Sequence, residues 1–81
     1  MRTIWTTSGE SVNIKEAKEA SMSTMIQYEY LVKEDRQLEA ALLLVESLLQ
    51  FKEDIEIIRE MSAEEFGEFV QEWMKGSDEN L

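Results

Sequence analysis

Apolar residues recur along most of this chain at the three- and four-residue spacing of amphipathic helices. The longest such stretch lies between Arg36 and Phe51, with Leu38, Ala41, Leu42, Val45, Leu48 and Leu49 at i, i+3, i+4, i+7 positions. Leu43 and Leu44 widen the stripe until the middle of the helix is apolar nearly all round. Such a helix is typical of the centre of a core, but part of its wide face can also meet another chain. The pattern leaves both interpretations open.

Two further helices are predicted, one before and one after the long apolar stretch, and polar turns separate them from it. The stretch from Ser21 to Lys33 is dense in apolar residues without Gly or Pro, which predicts a helix with a broad buried face. The polar residues that follow it predict a turn, with Asp35 as a candidate N-cap of the next helix. After a second polar turn, Ile55 to Glu60 predicts a short helix, since the span and its helical context argue against a strand.

The last helix has the clearest boundary signal in the chain. Ser62 and Glu65 form an S-x-x-E capping box, and Met61 and Phe66 occupy the positions of a hydrophobic staple around it. The apolar face that follows consists of Phe66, Phe69, Val70, Trp73 and Met74. Gly76 suits the left-handed position after a helix, so we expect the helix to end there. Residues 77–81 are then expected to form a flexible acidic tail.

The N-terminal segment has a different pattern. Arg2 to Thr7 is rich in β-branched and aromatic residues, Ser8 to Glu10 suits a turn, and Ser11 to Ile14 suits a returning strand. Alternatively, Asn13 and Glu16 resemble a weak capping box, so that Ile14 to Ala20 is already helical. Together the patterns predict an all-α domain over residues 1–76, a small bundle of about four helices, and they leave open a short hairpin at residues 2–14.

The amino-acid composition excludes several kinds of catalytic and metal-binding site. The 81 residues include no His and no Cys, which excludes an imidazole base, a thiolate nucleophile, a disulfide and an ordinary zinc site. No glycine-rich phosphate loop or dinucleotide fingerprint is present. We therefore expect no enzymatic activity, no catalytic residues, no cofactor and no metal.

Charge also narrows the range of partners. The formal net charge is −10, of which residues 53–81 carry −8, with 10 acidic and 2 basic side chains. This balance argues against binding to nucleic acid. The acidic C-terminal third is typical of a solubilising surface, or of a docking face for a basic partner. The apolar runs are too short to span a membrane and the first residues do not resemble a signal peptide, so we expect a cytoplasmic protein.

The stretch from Leu48 to Ser77, and especially MSAEEFGEFVQEWMKGS, resembles the C-terminal part of tail assembly chaperones from long-tailed bacteriophages. The matching positions are Met61, Ser62, Glu64, Glu65, Phe66, Phe69, Val70 and Trp73. The resemblance is a hydrophobic pattern over 30 to 45 residues, with no chemical motif, and it does not extend to the N-terminal segment. Members of this family are also often longer than this chain.

The resemblance implies a non-catalytic protein that binds the tape measure protein, and tail tube subunits, during tail assembly in the bacterial host. It also implies self-association into a homo-oligomer. For this role we expect a binding surface that includes Leu42, Val45, Leu49, Phe69 and Trp73, although each residue suits a core equally well. Two other functions stay open: an acidic inhibitor of a nucleic-acid-binding enzyme, and an oligomeric structural module without a client.

Overall fold

The N-terminal segment forms a hairpin, which is one of the two alternatives that the sequence left open, with strand β1 at Arg2–Trp5 and strand β2 at Ser11–Ile14. The computed structural model describes residues 1–79, with side chains to residue 75. Four α-helices follow in this part of the chain: α1 Met22–Lys33, α2 Gln37–Leu48, α3 Ile55–Arg59 and α4 Ala63–Glu79. Short 3-10 helices occupy Ala17–Glu19 and Lys52–Asp54. The predicted class, a small four-helix fold with a short hairpin, is therefore confirmed.

The hairpin turn explains the strand register. The N–H of Gly9 donates to the carbonyl of Thr6 at 3.0 Å, and the N–H of Thr6 donates to the carbonyl of Glu10 at 2.8 Å. Gly9 has a φ of 88°, which a glycine adopts without the steric cost of a Cβ. This is the three-residue hairpin loop that ends in a left-handed glycine. It places Ile4 opposite Val12, with both side chains in the core.

The second strand also pairs with the segment that follows α2. The N–H of Lys15 donates to the carbonyl of Leu48 at 2.9 Å, and the N–H of Gln50 donates to the carbonyl of Asn13 at 3.0 Å. Ile14 and Leu49 form an antiparallel bridge between these bonds. Because of this pairing, the outer edge of β2 is covered, and β1 is the edge strand of the hairpin.

The core lies between the inner face of the hairpin, α2 and α4. Its buried side chains are Ile4, Val12, Ile14, Leu44, Val45, Leu48, Leu49, Ile58, Phe66, Phe69 and Trp73. The stripe predicted on α2 is thus largely a core stripe. Several hydrogen bonds between distant residues attach α4 to the hairpin and to the segment after it. Among them, Trp73 Nε1 donates to the carbonyl of Lys15 at 2.9 Å, and Arg2 Nη1 donates to the carbonyl of Trp73 at 2.7 Å.

Helix α1 packs along α2 but has no buried residue, so the prediction of a broad buried face was wrong. Its inner side, which includes Met25 and Tyr28, is only partly covered by the core. The physical reason is that α1 lies at the periphery, where one neighbouring helix covers one side of it.

The boundary between α1 and α2 also differs from the expectation. Asp35 has a φ of 61° and follows the C-cap Glu34 of α1, so it is not the N-cap of α2. The N–H of Asp35 donates to the carbonyl of Val32, and the N–H of Arg36 to that of Leu31, at 3.0 and 2.9 Å. These two bonds are the Schellman motif, in which a left-handed residue ends a helix. Arg36 is the residue at the N-cap of α2.

The start of α4 is as predicted. Ser62 Oγ accepts from the N–H of Glu65 at 3.1 Å, and Glu65 Oε1 accepts from the N–H of Ser62 at 3.4 Å, which completes the capping box. The helix continues to Glu79, three residues beyond the end expected at Gly76. The flexible tail of residues 77–81 stays a prediction, and residues 80 and 81 lie outside the described part of the chain.

Candidate protein-binding surfaces

Four of the five residues predicted to bind a partner lie in the core. Val45, Leu49, Phe69 and Trp73 are buried, and Trp73 retains only 1% of its accessible surface. In this conformation they stabilise the monomer and are not available to a partner, which corrects the sequence-based assignment. Each had the spacing of a buried face, and spacing alone does not distinguish a core from an interface.

The fifth residue, Leu42, lies at the edge of the core and is partly buried. It lines a shallow groove of about 250 Å³ between the start of α2 and the start of α4, together with Leu38, Ile58, Met61 and Phe66. Leu38 is well exposed there. The structure therefore separates Leu42 from the other four residues.

The largest regular set of exposed apolar side chains on a helix lies on α1. We call Met22, Ile26 and Tyr30 the α1 row; these side chains are 75%, 61% and 60% exposed. Because they stand four residues apart, they follow one another along a single side of the helix. The other side carries Met25 and Tyr28, which contact the core. Sequence reasoning missed the row because both sides of α1 are apolar; the signal was the separate four-residue spacing.

A second candidate surface is a groove beside strand β1, which we call the β1 groove. Residues 2–7 form one wall and α4 contributes the other, and the cavity volume is about 360 Å³. Ile4 and Phe69, both buried, line the groove between these walls. Trp5, 69% exposed, lies at its rim. On the α4 side the lining residues are Met61, Glu65, Glu68, Phe69 and Glu72.

Glu65 is the carboxylate of the β1 groove that accepts the most hydrogen bonds. Thr7 Oγ1 donates a hydrogen bond to Glu65 Oε2 at 2.9 Å, and with the capping bonds from Ser62 it holds the pKa of Glu65 below its usual value. The ion pairs within the described residues are Lys18 with Glu16 and Arg36 with Glu39, both outside the groove. The carboxylates of Glu65, Glu68 and Glu72 are thus not neutralised by a cationic side chain.

In the part of the chain that the structure describes, no three Asp or Glu side chains are grouped as ligands for a metal ion. Within the same residues, none of the helices combines the length and the apolar character that a membrane span requires. The chemistry offered by these surfaces is that of apolar contact, main-chain hydrogen bonding and negative charge.

Comparisons with protein-family models, with curated proteins and with solved structures gave no match. The functional argument therefore depends on the two surfaces and on the sequence pattern of α4.

Proposed function

We propose that this protein is a non-catalytic tail assembly chaperone, which binds the tape measure protein in the cytoplasm of a bacterium infected by a long-tailed phage. The resemblance of residues 48–77 to such chaperones supports the proposal. The α1 row is the single structural observation that carries it. Three large apolar side chains in water are costly for a monomer and are typical of a surface that another protein covers.

The geometry of the α1 row suits a helical client. Side chains four residues apart form a ridge, and ridges of this kind pack into the grooves of a second helix. A long client with apolar helical stripes offers such grooves along its length. Binding to the α1 row would cover these stripes until the tail tube encloses the client. Tail tube subunits are the second class of partner in this proposal.

Charge supports the same surface. Of the twelve residues of α1, only Glu29 and Lys33 are charged, whereas the whole chain carries a net charge of −10. A client can therefore cover α1 without desolvating a cluster of carboxylates. The acidic residues elsewhere keep the complex in solution. A second copy of the chain can use the same nearly neutral helix, which is how the proposal accounts for a homo-oligomer.

The test is a pair of single substitutions on α1. Ile26→Glu places a charge in the middle of the row, and Gln27→Glu places the same charge on the next exposed residue. Both introduce a strong helix former at an exposed site, so both variants are expected to fold. Each is co-expressed with a tape measure protein, and the soluble complex is isolated and quantified at about 0.1 M and about 1 M salt.

We expect Ile26→Glu to abolish the complex and leave the tape measure protein insoluble, whereas Gln27→Glu retains it at both salt concentrations. An equal yield from the two variants would show that the α1 row does not bind the client. Light scattering then measures the oligomeric state of each variant without client, which shows whether Ile26→Glu also prevents self-association.

A second function, inhibition of a nucleic-acid-binding enzyme by charge mimicry, is favoured by one observation. Glu65, Glu68 and Glu72 form an unneutralised acidic row along α4. A complex made by such charges weakens steeply as salt is added. Capture of a basic nuclease that is released at high salt, with no difference between Ile26→Glu and Gln27→Glu, would replace the chaperone proposal by this one.

A further inference from the structure

Within residues 1–79, one main-chain edge of strand β1 is not paired with another strand. In an antiparallel pair, residues alternate between those that bond to the partner strand and those whose N–H and C=O point away from it. The main chain of Thr6 bonds to that of Glu10, so in the same register the main chain of Ile4 bonds to that of Val12. The N–H and C=O groups of Thr3 and Trp5 therefore point away from β2. Asn13, opposite Thr3, confirms the alternation because its carbonyl accepts from Gln50 on the far side of β2.

The β1 groove lies along this edge. All six residues from Arg2 to Thr7 line it, and α4 runs beside them in the opposite direction. The contacts at its two ends fix this direction: Thr7 bonds to Glu65 near the start of α4, and Arg2 bonds to the carbonyl of Glu72 at 2.9 Å. The free edge and the acidic row are thus the two walls of a single groove.

The charge of the groove is strongly one-sided. Its three carboxylates belong to Glu65, Glu68 and Glu72, and its one cationic side chain is Arg2. The Arg2 guanidinium is already committed to the carbonyl oxygens of Glu72 and Trp73. These bonds to neutral carbonyls leave the positive charge of Arg2 in place, so the three carboxylates and one guanidinium give the groove a net charge of −2. A segment that enters the groove therefore meets an excess of negative charge on the helix side and free main-chain groups on the strand side.

We propose that the β1 groove binds an extended segment of a partner protein that is rich in lysine or arginine and that adds to β1 as a third strand. Main-chain hydrogen bonds to Thr3 and Trp5 supply the affinity common to strand addition. Alternate side chains of the segment point to the same side, so basic residues at every second position face the carboxylates of α4.

A second copy of the chain is a poor occupant of the same groove. Pairing two β1 edges would bring two acidic rows together, and each copy has a net charge of −10. Like charges at this proximity oppose association. The unneutralised carboxylates select a basic partner, and they also protect the free edge from pairing with other copies.

The probe for the test is a labelled peptide of about six residues, the usual length of a strand, with alternating lysine and valine. Thr3→Pro removes the outward N–H of β1 but keeps its ladder with β2, since proline is tolerated where the N–H faces away from the sheet. Thr3→Ala is its control, because both variants lose the side-chain hydrogen bond to Asn13.

A second pair of variants tests the charge. Glu68→Gln with Glu72→Gln neutralises two carboxylates in the groove, and Glu46→Gln with Glu64→Gln neutralises two exposed ones outside it. Both double variants have the same net charge. Anisotropy titrations should show at least a roughly tenfold weaker affinity for Thr3→Pro than for Thr3→Ala, and for the groove pair than for its control.

Hydrogen exchange on the wild-type protein keeps the test independent of how Thr3→Pro folds. The peptide should slow exchange of the Thr3 and Trp5 amides by at least about tenfold and leave the already bonded Ile4 amide unchanged. Equal affinities within both variant pairs, or unchanged exchange at Thr3 and Trp5, would overturn the proposal. Because the α1 row is a different surface, either proposal can fail while the other stands.

Discussion

At the scale of a single residue, Trp73 connects the C-terminal helix α4 to the N-terminal part of the chain. Its ring is buried beside the hairpin, and its indole N–H donates to the carbonyl of Lys15, 58 residues away in sequence. The bond satisfies a polar group that burial would otherwise leave without a partner. The residue that the sequence suggested as an anchor for a partner is therefore an anchor within the chain itself.

Replacing Trp73 with Phe should destabilise the protein by about 1–3 kcal/mol, because a buried hydrogen bond is lost and the Lys15 carbonyl is left unpaired. Trp73→Ala should cost about 3–5 kcal/mol through the cavity that it leaves. Urea unfolding measures both values. Trp5→Phe is a matched control at an exposed tryptophan and should change stability by less than about 0.5 kcal/mol. Equal effects at Trp5 and Trp73 would contradict the burial of Trp73.

At the scale of the element, short sequence motifs decide where each helix begins and ends. The capping box of Ser62 and Glu65 acts within four residues, so it was readable from the sequence and is present in the structure. At Asp35, in contrast, the residue type led to a wrong prediction. Its side chain made it a plausible N-cap, but the backbone bonds to Val32 and Leu31 place it at the end of α1 instead. A residue type that suits both roles does not reveal which helix it belongs to.

The left-handed backbone of Asp35 leads to a prediction for α1. Asp35→Gly should stabilise the protein by about 0.5–1 kcal/mol, since glycine adopts a φ of 61° without steric strain. Thermal or urea unfolding of the variant measures the change. Glu34→Gly, at the neighbouring C-cap with a φ of −83°, is the control and should be destabilising. A loss of stability in Asp35→Gly would show that the Asp side chain outweighs the strain of its backbone.

At the scale of the whole molecule, the dominant feature is a net charge of −10, and the side chains that the structure describes form few ion pairs. Such a charge favours solubility and disfavours the compact state through self-repulsion. The helices and the hairpin are held together by one apolar core, and none of the acidic side chains up to residue 75 is buried in it.

Added salt should therefore raise the melting temperature. We expect an increase between about 0.02 M and about 0.2 M sodium chloride, because the Debye length falls below the spacing of the surface charges. The variant with Glu46→Gln and Glu64→Gln should show a smaller increase, since its net charge is closer to zero. Differential scanning calorimetry measures both slopes, and a melting temperature that is constant or falls with salt would contradict the role of self-repulsion.

The sequence by itself determined the features that depend on neighbours within a few residues. These include the capped start of α4, the apolar stripe of α2 and the lack of His and Cys. The hairpin with Gly9 in its turn was one of two alternatives that the sequence left open, and the structure decided between them. Propensity, capping and periodicity act over one or two turns of chain, so a single sequence contains them in full.

Only the tertiary structure decided which apolar side chains are core and which are surface. Trp73 and Phe69 are covered because α4 meets the hairpin, whereas Met22 and Ile26 are exposed because α1 has one neighbouring helix. The pairing of β2 with the segment after α2, which leaves β1 as the free edge, likewise depends on residues more than thirty positions apart. Periodicity identifies a face of an element, but burial depends on which distant elements come to lie against it.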